Sequence, residues 1–164
     1  MYEADYGQHA ELSQRYKNGA NWFYWIAGLS IVTSIIAFAG GGWGFLISLG
    51  TTRVIDAIAA GLSAELGGAP TVVALVLDLL VTGAFVAFGV LAGKKFLWAY
   101  IIGLVAFLLD GLVSLLVQDW LGVVAHAVVL FIMFRGFQAG RELTNLEQAM
   151  AQQASEPASQ PETV

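Results

Sequence analysis

The chain has 164 residues, enough for one domain, and 58% of them are hydrophobic while only 12% are charged. Water-soluble domains carry about 25% charged residues, so water is the wrong solvent for most of this chain. The net charge of −5 lies mostly in the ends, no basic cluster offers itself to nucleic acid, and the lack of cysteine excludes disulfides, thiol redox chemistry and thiolate metal sites.

Residues 1–21 are polar, with Glu3, Asp5 and Glu11 among them, and hold no apolar core of the secretory-signal type. Residues 22–39 form the first run long enough to span a bilayer, expected to act as an uncleaved anchor, and GGGWG ends it. Next, Val54, Ile55, Ile58, Leu62 and Leu66 fall on one helical face, with Arg53, Asp56, Ala60 and Ser63 on the other. That pattern predicts an interfacial amphipathic helix over about residues 45–66, lying in the outer interface or re-entering from it. Arg53 and Asp56 are then expected at the outer headgroup level.

Residues 71–92, 96–117 and 120–138 form three further runs, bounded by GGAP, GKK and QDW. At 1.5 Å per residue the four runs reach roughly 27–33 Å, matching a hydrocarbon core of about 30 Å. Residues 141–164 are expected to extend the last helix and fade into a disordered tail, ASEPASQPETV. The expected fold is an all-α integral membrane protein. It is a four-span antiparallel helical bundle over residues 22–140, with the interfacial helix between spans 1 and 2.

Arg15, Lys17, Lys94, Lys95, Arg135 and Arg141 fall on one side of this bundle, and Arg53 alone on the other. The positive-inside rule therefore places both termini in the cytoplasm, with the chain in a plasma or inner membrane. The lipid bilayer is the first expected partner. Gly89–Gly93 and Gly136–Gly140 have GxxxG spacing, suited to close contact within the chain, with a second copy, or with another membrane protein.

Three ionisable residues, Asp78, Asp110 and His126, lie inside the apolar runs, each about eight residues from a turn and at similar depth. A charge there costs on the order of 2.5–3.5 kcal/mol on insertion scales, which marks a buried, paired cluster as a candidate ion- or proton-binding site. Small and hydroxyl residues share their faces, Thr82 with Asp78, Ser114 with Asp110 and Gly122 with His126. Ser30, Thr33 and Ser34 of the first span complete the polar lining. Asp110 and His126 stand equally far from Gln118 at the turn between spans, so direct contact is expected, with Asp78 close enough to join.

No catalytic residue or cofactor is expected. Two carboxylates and an imidazole form a plausible metal set, but no HExxH-type spacing supports one. A b-type haem usually wants a second axial histidine, and His9 lies in the polar N-terminal segment. Nor do FLLDG and VLDLL resemble the motifs of membrane aspartyl hydrolases. Two function classes remain: a structural, interaction or accessory subunit, and a small proton- or cation-coupled transporter or channel-like protein. The first is preferred, because four short spans offer no evident substrate pocket.

Overall fold

The computed structural model describes residues 2–38 and 50–155, and the side chains of residues 2–5, 37, 38, 53 and 64 are not described. GGGWG, residues 45–49 and the tail from residue 156 therefore lie outside the described residues. Five helices follow one another: α1 (Tyr2–Phe38), α2 (Gly50–Leu66), α3 (Ala69–Gly93), α4 (Leu97–Leu116) and α5 (Trp120–Ser155). All but α2 are long and apolar enough to cross a membrane, and the chain is an all-α, multi-pass membrane bundle.

The burial pattern shows why water cannot be the solvent. Leu80, Val124 and Phe131 point outward at 65%, 60% and 61% exposure, while Ser30 and Ser114 are sealed inside. Apolar surface on that scale belongs against lipid. Helices α1, α3, α4 and α5 form a square in that order, each antiparallel to its neighbours, and α2 packs outside against α3 and α4.

Helices α1 and α5 share a long seam. His9, Leu12, Tyr16, Gly19, Phe23, Ile26 and Ser30 recur at alternating steps of three and four residues, as do His126, Val129, Met133, Gly136, Gly140, Leu143 and Glu147. Such heptad spacing keeps one stripe of each helix against the other. With 37 and 36 residues, the two helices are about 55 Å long, well beyond a hydrocarbon core of about 30 Å. Their paired ends form a stalk outside the bundle, packed by Leu12, Ala139 and Leu143. The segment that reads as merely polar in sequence is thus helical from Tyr2 and partnered.

Phe23, fully buried, lies at the centre of the core, with the rings of Tyr100, Phe88 and Phe85 at 5.3, 6.3 and 6.5 Å. Gly103 makes room for it: a β-carbon there would fall 2.4 Å from the Phe23 ring. Tyr100 and Tyr16 donate their hydroxyl hydrogens to the backbone carbonyls of Met133 (2.9 Å) and Ala92 (2.5 Å). A buried phenol is thereby satisfied without a second polar side chain.

The GKK and QDW breakers are both Schellman ends. Lys95 and Gln118 take the left-handed conformation (φ 65° and 58°), and Phe96 and Asp119 donate backbone hydrogen bonds to Leu91 and Ser114. Asp119 then caps α5, accepting from the Gly122 amide at 3.0 Å.

Helix α2 turns its polar stripe inward. Thr52 and Ala59 are buried and Asp56 and Ser63 half-buried, whereas Ile58, Leu62 and Leu66 are 58%, 45% and 65% exposed. It begins beside Asp110, within the apolar run of α4, and runs antiparallel to α3 before reversing at Gly67 (φ 73°). Asp56 lies on the stripe that faces the bundle, because the sequence pattern defines two stripes but not which one faces the protein. The side chain of Arg53 lies outside the described residues.

Candidate functional site

Helix α4 presents Tyr100, Gly103, Phe107, Asp110 and Ser114 from one buried stripe. The Asp110 carboxylate accepts the amide hydrogens of Gly50 at Oδ2 (2.6 Å) and of Thr51 at Oδ1 (2.8 Å). Those amides open α2, where backbone donors have no partner within their own helix. A carboxylate at that end also meets the positive pole of the helix dipole. Gly50 is required for the approach: a β-carbon would lie 2.6 Å from Ser114 Oγ and 2.9 Å from the Asp110 carbonyl oxygen.

His126 completes the latch. Its Nε2 lies 2.9 Å from Asp110 Oδ2, and its Nδ1 lies 2.7 Å from the Gly122 carbonyl oxygen. A carbonyl only accepts, so Nδ1 carries a hydrogen. Asp110 also accepts from two amides, and one hydrogen held between Nε2 and Oδ2 closes the pattern in a pair that is neutral as a unit. The imidazole stacks on Phe107, with ring centroids 4.6 Å apart and planes 21° from parallel.

Asp78 belongs to a different group. It is 3% exposed; its Oδ2 accepts from Ser34 Oγ at 3.2 Å, and its Oδ1 is buried with no hydrogen-bond donor. The Asp56 carboxyl of α2 stands within hydrogen-bonding reach of it. The register explains the meeting. Ser63 and Thr71 hydroxyls touch at 2.9 Å across the α2–α3 turn, and Asp56 and Asp78 each lie seven residues, two helical turns, further along.

Asp78 is expected beside Asp110 and His126, yet it shares no hydrogen bond with either among the described residues. Phe85 meets Phe107 at 6.2 Å, and three residues on from each, Thr82 rather than Asp78 comes level with Asp110. Asp78 therefore stands about one turn further out. The single cluster read from sequence is two adjoining groups, one at the start of α2 and one about two turns along it.

The polar lining divides accordingly. Ser34 serves Asp78, and Ser114 sits under Gly50. Thr33 satisfies itself by donating to Leu29 O (2.9 Å), while Ser30 and Thr82 are buried in the bundle. Among the described residues no three His, Asp or Glu side chains converge as a metal set. Gly136 and Gly140 are filled from within, by Gly19 and Tyr16 of α1, so that GxxxG face is a contact within the chain. In the other motif, Gly89 packs on Tyr24 and Phe23, whereas Gly93 meets open space.

Outside the spans, Glu147 on the α5 extension accepts from Lys95 Nζ (2.5 Å) and His9 Nε2 (3.0 Å). The Lys95 ammonium first, and His9 second, hold the Glu147 carboxyl below its ordinary range. This contact ties the α3–α4 turn to the stalk. Asp119, Glu147 and the two amides opening α2 are the groups that sequence reasoning missed, and Asp56 was read from sequence only as an interfacial residue. Only Asp119, ahead of an apolar run, carried a local capping signal.

Comparisons with protein-family models, with curated proteins and with solved structures find no match to this chain.

Proposed function

We propose that this chain is a small structural or accessory membrane protein in which Asp110 and His126 are a latch that holds helix α2 in the bundle. One observation carries the reading: both Asp110 oxygens are committed, to two α2 amides and to His126. An ion passing this level would have to displace bonds that hold the fold. Breaking a buried pair by deleting one partner costs about 3–5 kcal/mol, although such a pair adds little net stability over an apolar replacement. The pair's value here is specificity, fixing where α2 starts and which level of α5 faces α4.

With the six inward basic residues at one end, both termini lie in the cytoplasm, and the chain resides in a plasma or inner membrane. The long α1–α5 stalk then projects into the cytoplasm and is the natural surface for a protein partner.

The test compares Asp110→Asn with Asp110→Leu in detergent melts and in liposome flux. The amide keeps one acceptor for α2 but sets an NH2 where the other oxygen accepted, so it is expected to cost less than leucine, which strands His126 and two amides and costs several kcal/mol. An Asn variant that keeps its stability but loses proton- or cation-dependent flux would replace this reading with transport. A transport reading has its own support at Asp56 and Asp78, where a buried oxygen has no donor.

A further inference from the structure

Gly19 and Gly136, where α1 and α5 cross, line a cleft of about 350 Å³ because neither has a side chain to fill it. From α5 the cleft is bordered by Phe131, Arg135, Gln138 and Glu142. Steps of four, three and four residues keep these on one helical face. Arg15 and Asn18 border it from α1. Along the helices the lining therefore grades from an aromatic ring, through two guanidinium groups, to a carboxylate.

The cleft lies where α1 leaves the hydrocarbon. Arg15, Asn18 and Gly19 precede the apolar run that starts at Trp22, and the exposed Trp25 and Trp98 are placed as an aromatic belt at that end of the bundle. Phospholipid phosphates stand at this level. Arg135 carries its charge there and forms no ion pair among the described residues. Its guanidinium lies 5.9 Å from the centroid of the Phe131 ring, and its N–H fork matches a phosphate in two-point geometry. Arg15 gives one nitrogen to Glu11 at 2.6 Å and keeps further donors. Glu142 stands seven residues, two turns, beyond Arg135 toward the stalk.

We propose that this cleft binds the headgroup of one phospholipid, with its phosphate on Arg135 and Arg15, an ammonium toward Glu142 and an acyl chain along Phe131. Chain, phosphate and amine follow one another in phosphatidylethanolamine in the order in which Phe131, Arg135 and Glu142 follow one another on α5. Phosphatidylglycerol supplies the phosphate but brings no cation to Glu142. Free phosphate shares the anion chemistry and leaves both ends of the cleft unmet. The site is separate from the latch: Tyr100, at the crossing, and Asp110 are about 15 Å apart along α4.

Native mass spectrometry of the full-length chain in detergent, with equal amounts of phosphatidylethanolamine and phosphatidylglycerol added, tests this directly. One phosphatidylethanolamine is expected to stay on each chain in preference to phosphatidylglycerol. Arg135→Gln should weaken that adduct about tenfold or more, as for any lost charge-assisted hydrogen bond. Arg141→Gln, at an exposed position outside the cleft, should leave it unchanged. Glu142→Gln should keep a bound phospholipid and erase the preference between the two headgroups. A chain that retains no lipid would overturn the proposal, as would equal losses in Arg135→Gln and Arg141→Gln. So would phosphatidylglycerol held as firmly as phosphatidylethanolamine in the unsubstituted chain. Displacement of the lipid by millimolar inorganic phosphate would also overturn it, because the cleft would then be a site for a free anion. Should a variant fail to fold, the headgroup preference and the phosphate competition in the unsubstituted chain decide the matter.

Discussion

Gly19 of α1 and Gly136 of α5 pass so closely that a β-carbon on either would lie within 2.8 Å of the other's α-carbon. The Tyr100 hydroxyl occupies the remaining space, and its bond to Met133 O leaves it little freedom to move. Two backbones meeting with nothing between them is the signature of small residues at membrane helix contacts. Here the crossing lies between helices far apart in sequence.

Gly136→Ala should therefore spread the α1–α5 seam and cost about 1–3 kcal/mol, the usual range for overpacking. Gly28→Ala, where an added β-carbon meets nothing within 4 Å, should be neutral or gain up to about 1 kcal/mol from helix propensity. Paired detergent melts of the two variants check this contrast. Equal effects would mean that the crossing is looser than described.

The spans were legible because length, hydropathy and breakers all act locally, and GKK and QDW end helices where the chain turns. Direct contact of Asp110 with His126 was equally readable, since a tight hairpin fixes the level of both. The role of Asp110 toward α2 was not. Its partners are amides 60 and 59 residues earlier in the chain, and no local pattern marks a helix start that is capped from another helix. The N-terminal helix was hidden for a related reason. Leu12, Tyr16 and Gly19 carry heptad spacing, but so few apolar residues bury a useful surface only once Ala139, Gly140 and Leu143 of α5 stand opposite. Asp78 was misplaced by counting from its own turn, whereas its level is set by how α3 slides along α4.

The Glu147 contact predicts a modest acid sensitivity of the stalk. The carboxyl is held low in the folded chain by Lys95 and His9, so its contribution is full above the ordinary value of 4.5. It fades as pH falls from there through the lowered folded value. The side chain is 38% exposed, and exposed pairs are worth about 0–1 kcal/mol, so the effect is small. Comparing melts of Glu147→Gln with the unsubstituted chain at neutral and acid pH should show a difference that closes on acidification. A gap that widens would contradict the assignment.

Topology follows from the basic residues and is tested by reporter fusions. Fusions after Gly68 and Gln118 should be extracytoplasmic, and those after Gly93 and Met150 cytoplasmic. The paired stalk requires Tyr2 and Ser155 to lie on one side, so an extracytoplasmic fusion after Met150 with a cytoplasmic N-terminus would contradict the fold as well as its orientation.

The central claim is that Asp110 holds the start of α2, and a spin-label distance between α2 and α4 tests it most directly. The chain has no cysteine, so Ala57→Cys and Leu109→Cys, both at exposed positions, give a single labelled pair. The account predicts one narrow distance in the otherwise unsubstituted chain and in Asp110→Asn. In Asp110→Leu it predicts a broad distribution, while a control pair across the α1–α5 seam stays narrow. A distribution equally narrow in Asp110→Leu would contradict it, because α2 would then be held by its apolar contacts and its hairpin alone.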